Sequence, residues 1–344
     1  MTHKADLLTP KKRLLFSLVT LLVSIGLFVL GGEFLLRQLG YWPVNVKSFQ
    51  ILDLNEPTLM VFDPDTGWRN KPGHHVLPPY TPQGQPIAIH IMENGARDTG
   101  SAPARPEGTL LLVGCSYLFG WALSDHQTLG WKLQEKYPRL QVFNHATSGF
   151  GTLQSLILLE QILPKLPPPV HVIYGIIEHH QVRNVAPASW MAHLESFTKR
   201  GTLFVPYVSL DNTGTLVRHA PEQYLHLPLR QNLSLARFVE SLTMELITWR
   251  RSGQGEEGTR ELIKQMADFT SRYKASFHVL LLEGLPNFRE KLLGFLKSSQ
   301  IASLNCPVPD PKDDRWRVAG EGHPNEAAND LWLNCIQASS PAWP

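Results

Sequence analysis

The stretch LLVGCSYLFG, residues 111–120, decides the fold. An apolar run of strand length ends at Gly114, and Ser116 follows two positions later. Further apolar runs of strand length occupy 140–144, 170–177 and 277–283, and segments with apolar residues at helical spacing cover 152–166 and 259–273. Near-continuous apolar strands that alternate with helices indicate a parallel sheet covered on both faces. The sequence therefore predicts an α/β three-layer sandwich with a mostly parallel sheet.

The charge balance gives no sign of a nucleic-acid partner. The 344 residues carry a formal charge of +2, with 32 Lys and Arg against 30 Asp and Glu. Nucleic-acid-binding proteins usually cluster their basic residues on one face. The one tight basic cluster here, at 11–13, directly precedes an apolar segment, and this position indicates a different role for it.

The N-terminal segment predicts a single transmembrane helix at about 14–36. No charged residue occurs from Leu14 to Gly32, and these nineteen residues span roughly 28 Å as a helix, close to the hydrocarbon thickness of a bilayer. A cleavable signal peptide is the alternative, but its apolar region is usually about 7 to 15 residues and a small-residue cleavage site follows it. The basic cluster predicts a cytoplasmic tail over 1–13, and Tyr41 and Trp42 are expected at the far interface. The rest of the chain is then extracytoplasmic, and periplasmic in a Gram-negative cell.

The remainder of the chain divides by composition into a lead-in and a larger domain. Residues 37–106 are rich in turn signals and predict a membrane-proximal lead-in rather than a separate domain. Residues 107–344 form the predicted α/β domain, and the segment at about 185–255 interrupts its rhythm as an insertion that contains a hairpin. Of the three cysteines, Cys306 and Cys335 are the pair chosen for a disulfide in an oxidising compartment, and three buried thiols are the alternative.

Polar residues follow successive predicted strands and one late loop. Ser116 and Gly149 come after the first and second strands, Glu178-His179-His180 comes after the third, and His323 precedes a Pro-Asn turn. In open α/β sheets the ligands bind at the carboxyl ends of the strands, so these groups are expected at one edge. A serine beside a histidine at such an edge predicts nucleophilic catalysis, with a turn hydroxyl as the alternative for Ser116.

These segments together resemble the SGNH (GDSL-type) hydrolases. The family's first block, Gly-Asp-Ser with a later glycine, is matched by Gly114, Cys115, Ser116 and Gly120. Its second block is matched by Asn144 and Gly149, and its last block by Glu321 and His323. The upstream IMENGARD, which contains Asn94, Gly95 and Arg97, is similar to the lead-in of membrane-anchored bacterial members.

The resemblance implies a flavodoxin-like SGNH fold and acyl transfer on Ser116, with His323 as general base and Glu321 as its acid partner. Asp310, Asp313 and Asp314 are the substitutes for Glu321. The implied oxyanion hole consists of the backbone N–H groups of Ser116 and Gly149 and of His179, which stands where the family has Asn. The ring N–H of His179 could donate in its place, and a structural histidine is the alternative. The chain also departs from the family at Cys115, where the family has Asp.

The resemblance further implies the substrate class. It predicts an esterase or O-acyltransferase that acts on the acyl groups, most of all acetyl groups, of an extracytoplasmic polysaccharide. A membrane-bound acyltransferase is the possible partner. The resemblance implies no organic cofactor and no metal. An esterase of lipids or small esters is the alternative. Two other classes remain open: a glycan-binding module without activity, and a metal site formed by His145, Glu178, His179, His180 and His323.

Overall fold

The structure is a computed structural model that describes residues 9–44, 59–195 and 204–339. Parts of the predicted cytoplasmic tail, lead-in and insertion (1–8, 45–58 and 196–203) and the end of the predicted α/β domain (340–344) lie outside the described residues. The strands within the described ranges are β1 Met60–Asp63, β2 Gly67–Asn70, β3 Gly73–Leu77, β4 Ile87–Ile91, β5 Gly108–Gly114, β6 Leu140–Asn144, β7 Val170–Ile177, β8 Phe204–Leu210, β9 Leu216–Gln223, β10 Ser276–Glu283 and β11 Ala302–Asn305. The helices are α1 Pro10–Gln38, α2 Ser116–Phe119, α3 Leu129–Lys136, α4 Thr152–Ile162, α5 His180–Val185, α6 Ala188–Glu195, α7 Ser234–Ser252, α8 Gly255–Arg272, α9 Pro286–Ser298 and α10 Glu326–Ser339.

A five-stranded parallel sheet with the order β6-β5-β7-β10-β11 forms the centre of the fold. Counted along the chain, this order is 2-1-3-4-5, which is the flavodoxin-like arrangement. The predicted fold class is therefore confirmed. The four strands predicted from apolar runs all occur, whereas β11 was not predicted because only Leu304 of its four residues is buried. An edge strand of this kind leaves no apolar run in the sequence.

The central strands are apolar because helices cover both faces of the sheet. All seven residues of β5 are buried, and seven of the eight in β7 are buried. On α8, Leu262, Ile263 and Met266 are fully buried and belong to the same core cluster as Leu111 and Val172 of the sheet. The helical spacing seen in the sequence therefore marks the core-facing side of α8.

The lead-in contains two antiparallel hairpins, β1 with β2 and β3 with β4, which its turn-rich composition did not predict. Trp68 on β2 is completely buried, and its indole N–H donates to the carbonyl of Ser148 at 2.9 Å. Asn70 donates to the carbonyl of Ala146 at 3.1 Å. Strand β2 of the lead-in is therefore held against the loop that follows β6.

The chain divides into two compact units, Met1–Val46 with Leu225–Leu246, and Lys47–Tyr224 with Ile247–Pro344. The larger unit contains the parallel sheet and the antiparallel hairpin of β8 and β9. The smaller unit contains α1 and the first part of α7. The segment treated in the sequence as one insertion is thus shared between the two units.

Helix α1 is long and apolar enough to cross a membrane. It has 29 residues, and the side chains of its most apolar window are not buried by the rest of the chain. The described residues contain one helix with this length and composition. Cys306 and Cys335 form the disulfide that was chosen from the sequence, with their Cα atoms 5.8 Å apart, and Cys115 is a buried free thiol.

Arg97, from the IMENGARD segment, is fully buried and makes four hydrogen bonds. Its Nε donates to Asp125 at 2.8 Å, and its other nitrogens donate to the carbonyls of Phe119, Gly120 and Leu123. Its guanidinium carbon also lies 4.8 Å from the centre of the Phe119 ring. One side chain therefore satisfies the carbonyls of the loop that follows the short helix carrying Ser116.

We expect Arg97→Ala to lower the free energy of unfolding by about 3–5 kcal/mol, because it removes a charged donor from three buried carbonyls and the charge partner of the Asp125 carboxylate. Urea unfolding of the full chain in detergent, followed by circular dichroism, measures this. Arg105→Ala is the control, because Arg105 is exposed and should cost less than about 0.5 kcal/mol. Equal midpoints for the two variants would contradict the role assigned to Arg97.

Candidate active site

Ser116, His323 and Glu321 form a continuous hydrogen-bonded chain. The Ser116 Oγ lies 2.9 Å from the His323 Nε2, and the His323 Nδ1 lies 2.7 Å from the Glu321 Oε1. The serine is the first residue of α2, directly after the sheet strand β5, and it is 4% exposed. The structure therefore brings together side chains 207 positions apart in the geometry of a nucleophile, a base and an orienting acid.

Backbone bonds within the loop before α10 hold the acid and the histidine. The Val318 N–H donates to the carbonyl of His323 at 2.8 Å, and the Gly322 N–H donates back to the carbonyl of Val318 at 2.9 Å. Asn325 then begins α10 by accepting the Ala328 N–H at 3.1 Å on its side chain. These bonds close a turn in which Glu321 and His323, two residues apart, can contact each other.

Glu321 is held as a carboxylate. Burial raises its pKa, but the hydrogen bond and the charge of the His323 ring, the His323 backbone N–H at 2.7 Å and the Trp121 indole N–H at 3.1 Å lower it, and the net pKa lies below the ordinary value. An ionised carboxylate on Nδ1 fixes the tautomer in which Nε2 faces Ser116 and accepts its proton. Trp121 was not identified from the sequence, because an indole five residues after a serine forms no recognisable motif.

Two backbone N–H groups are free to face a developing oxyanion. Within the described residues, the backbone N–H groups of Ser116 and Gly149 donate to no acceptor, whereas those of Thr147 and Phe150 donate to the carbonyls of Gly114 and Thr147. Gly149 has a φ of +82°, a conformation that glycine adopts without steric cost. The predicted backbone donors therefore have the free hydrogens that an oxyanion hole requires.

The loop that carries Gly149 is supported by the lead-in. A Cβ at Gly149 would lie 3.0 Å from the Trp68 ring, so the glycine is packed directly against that indole. The Trp68 N–H bond to Ser148 and the Asn70 bond to Ala146 fix the backbone that leads into Gly149. In the sequence, Trp68 lies in a segment rich in turn signals and shows no link to the site. The fold brings its ring against Gly149, behind the candidate oxyanion hole.

The three polar residues after β7 have separate roles. Glu178 accepts the Leu285 N–H at 2.9 Å, and His180 is buried with its Nδ1 2.6 Å from the Tyr174 hydroxyl. Burial lowers the pKa of His180 well below its ordinary value. The His179 side chain is exposed and makes no hydrogen bond to Ser116 or His323. Its assignment as a third oxyanion donor stays a prediction.

The substitute acids are not joined to His323. Asp310 accepts the Lys312 N–H at 2.9 Å, and Asp313 accepts the Nε of Arg315 at 2.8 Å. Asp314 begins a short turn of 3₁₀ helix. Of the four acids considered from the sequence, Glu321 is therefore the one that the structure places on the imidazole.

A second polar cluster locks the catalytic loop to the sheet. Glu283, the last residue of β10, accepts the Tyr117 hydroxyl at 3.0 Å and pairs with Arg317. Arg317 also donates to the Tyr117 hydroxyl at 3.2 Å, and the Tyr117 ring packs edge-on against His323 at 5.6 Å. This cluster ties the residue after the nucleophile to the start of the loop that carries the base. It was missed because its members are isolated in the sequence.

The residues considered for a metal site do not converge. His323 is engaged by Ser116 and Glu321, while His145 and His180 are buried, and burial lowers the pKa of His145 to about 4. Across 9–44, 59–195 and 204–339, no group of three or more His, Cys, Asp or Glu side chains is placed to hold an ion.

The comparisons with known proteins give structural neighbours only. No family model and no curated protein matches the chain. Among solved structures, it is similar to TesA with 15% identity, a TM-score of 0.40, and coverage of 67% of this chain and 97% of that one. It is also similar to the psychrotrophic esterase EstA from Pseudoalteromonas sp., with 12% identity, a TM-score of 0.41, and coverage of 68% and 96%.

A third similar structure is a member of the lipolytic G-D-S-L family from Veillonella parvula, with 10% identity, a TM-score of 0.40, and coverage of 67% and 96%. Of these three neighbours, one is named as an esterase and one as a lipolytic protein. At this level of identity the likeness concerns the fold. The geometry of the chain's own site carries the functional argument.

We expect Gly149→Ala to lower the turnover of an acyl ester on the order of 10²-fold, because the new methyl group must displace either Trp68 or the backbone N–H donor. Gly214→Ala is a matched control, since Gly214 has the same φ of +82° but open space around it. Both variants carry a backbone penalty of about 1–2 kcal/mol, which thermal unfolding measures. Equal turnover in the two variants would remove Gly149 from the oxyanion hole.

We expect the stability difference between the native chain and Glu321→Gln to depend on pH. Because the folded-state pKa of Glu321 is depressed, the carboxylate contributes stability that is fully present above its ordinary value of 4.5 and is lost as the pH falls through the folded pKa. Urea unfolding over a pH series should therefore show the two chains converging below pH 4.5. The exposed Glu290→Gln is the control and should follow the native chain. A difference that stayed constant with pH would contradict the paired carboxylate.

Proposed function

We propose that the protein is a serine-dependent hydrolase of acyl esters. The main support for this proposal is the hydrogen-bonded chain from Ser116 through His323 to Glu321, at the carboxyl edge of a parallel sheet. The backbone N–H groups of Ser116 and Gly149, which donate to no acceptor among the described residues, are the oxyanion donors in this proposal. Individually these features are common in proteins, and their convergence at one point supports the proposal.

The proposed hydrolysis of an acyl ester proceeds in two stages at this site. In the first, the Ser116 Oγ attacks the acyl carbonyl, His323 Nε2 takes its proton, and the N–H groups of Ser116 and Gly149 stabilise the oxyanion. His323 then returns the proton to the departing alcohol, which leaves an acyl-serine. In the second stage His323 activates water, which releases the acid and restores the hydroxyl. Glu321 stabilises the imidazolium during both stages.

The proposed substrate is an O-acyl group, with acetyl as the preferred one, on a polysaccharide outside the cytoplasm. The motif resemblance to membrane-anchored members and the apolar helix α1 support this. The Cys306–Cys335 disulfide also supports it, because such bonds persist in oxidising compartments. Transfer of the acyl group to a sugar hydroxyl, and work beside a membrane-bound acyltransferase, are part of the same proposal. The basic residues at 11–13 support an N-terminus in the cytoplasm.

We expect Ser116→Ala and His323→Ala each to lower turnover of a small acetyl ester by at least about 10⁴-fold, because each removes one member of a unit that works together. The assay uses the full chain in detergent. Labelling by a fluorophosphonate probe should be lost in Ser116→Ala. Ser101→Ala and His126→Ala, at exposed positions, are the matched controls and should retain activity and labelling. Equal turnover in all five chains would overturn the proposal and favour a binding module.

The substrate part of the proposal is tested separately on the active chain. Acetyl esters should be cleaved faster than long-chain esters, and an acetylated polysaccharide should release acetate. Faster cleavage of long-chain esters would favour a lipid esterase. Acetyl transfer to an added polysaccharide, measured by mass spectrometry, would assign the transferase reaction.

A further inference from the structure

The membrane-exit end of α1 is tied to a segment almost two hundred residues later in the chain. The Glu33 carboxylate accepts the N–H groups of Ser234 and Leu235, at 3.0 and 2.9 Å, so it caps the first turn of α7. Arg37 bonds to Glu33 at 2.6 Å and also donates to the carbonyl of Asn232. A carboxylate at a helix N-terminus is stabilised by the helix dipole and satisfies free N–H groups.

The chain that leaves α1 continues this attachment. Tyr41 packs edge-on against Phe238 with ring centres 5.5 Å apart, and Arg237 donates to the carbonyl of Trp42. The Val44 N–H donates to the carbonyl of Arg230 at 2.9 Å. Residues 225–246 are therefore fixed to the last turn of α1 and to the six residues after it.

The first part of α7 has one buried and one exposed face. Glu240 and Met244 are each 1% exposed, and Glu240 pairs with Arg230 at 3.1 Å. Val239, Leu242 and Leu246 are exposed by 43%, 51% and 66%. Their spacing of three and four residues places them on one stripe of the helix. This face therefore leaves three apolar side chains exposed.

The exposed stripe is continuous with the apolar residues after α1. An open groove of about 500 Å³ is lined by Leu39, Tyr41, Arg237, Phe238, Leu242 and Glu245. Leu39 is 68% exposed and Trp42 is 56% exposed. Aromatic residues at this position of a membrane-spanning helix are typical of the interface between lipid and water. An apolar surface of this kind on a protein marks an interaction site.

We propose that the stripe of Val239, Leu242 and Leu246, together with residues 39–42, lies in the lipid interface of the bilayer that α1 crosses. This inference rests on the anchor in the proposed function. Since α1 leaves the bilayer near Gln38 and α7 begins at Glu33 and Arg37, the first part of α7 lies at the level of the headgroups. Lipid is the occupant that this position supplies. The segment thus acts as an interfacial helix beside the span.

The charges near the stripe indicate whether its contact with the bilayer requires anionic lipid. Arg230 is paired with Glu240, Arg37 with Glu33, and Arg237 is bound to a backbone carbonyl. Within 33–44 and 225–246, the three arginines are matched by three glutamates, so the exposed basic residues of this unit at 11–13 lie at the other end of α1. The contact is therefore expected to depend on apolar burial, to form on zwitterionic phosphatidylcholine, and to be insensitive to salt.

The test uses the full chain in phosphatidylcholine vesicles, with a nitroxide on a single introduced cysteine. Leu242→Cys and Leu246→Cys report on the stripe, and neither substitution disturbs a buried side chain. The native cysteines do not compete, since Cys115 is buried and the other two form a disulfide. Leu22→Cys, in the middle of α1, is the lipid reference, and Asn212→Cys, in an exposed hairpin turn, is the second reference. Electron paramagnetic resonance compares the collision of each label with oxygen, which enters lipid, and with a nickel chelate, which stays in water.

We expect labels at 242 and 246 to show an oxygen-to-chelate ratio several-fold above that at 212, and this ratio should not change with salt. Chelate collision at 242 and 246 equal to that at 212, with 22 in lipid, would overturn the inference and leave the anchor intact. Low collision with both reagents would indicate a protein partner on the stripe, which also overturns it. A label at 22 that collides freely with the chelate would overturn the anchor together with the inference. Ester hydrolysis by the same labelled chains reports independently on the catalytic part of the proposed function.

Discussion

The site depends on one contact, the hydrogen bond between Ser116 and His323, because neither residue can perform acyl transfer alone. Ser116 is placed by the end of β5 and the turn at Gly114, where a Cβ would lie 2.8 Å from the carbonyl of Gly175 on β7. His323 lies on a loop outside the sheet, so its position is set by the backbone bonds of that loop and by side chains that hold the loop. Arg317, through Glu283 and Tyr117, and Trp121, through Glu321, supply that constraint.

A physical pattern recurs in this protein: a buried or half-buried charged side chain forms hydrogen bonds with the backbone N–H or C=O groups of a loop. Arg97 donates to three carbonyls after Ser116, and Glu33 accepts the first two N–H groups of α7. Loops without regular ladders leave many polar groups unpaired, and leaving such groups buried is costly. A charged side chain with several hydrogen bonds removes that cost and fixes the loop in one conformation.

The proposed function and the proposed lipid contact use different parts of the chain. The first rests on the edge of the parallel sheet, and the second on the short unit formed by α1 and residues 225–246. If both hold, α1 and the interfacial helix fix the smaller unit to the bilayer at two places. A span alone permits rotation about its axis, and a second contact removes much of that freedom.

The sequence by itself predicted the strands β5, β6, β7 and β10, an apolar helix long enough to cross a membrane, and Ser116 and His323 as members of one candidate site. Apolar periodicity and local motifs reflect burial and turn geometry, which neighbouring residues decide. Only the tertiary structure decided among the four candidate acids, brought Trp68 behind Gly149, formed the Glu283–Arg317–Tyr117 cluster and divided the insertion between two units. Those outcomes depend on contacts between residues far apart in the chain, and no local pattern records such contacts.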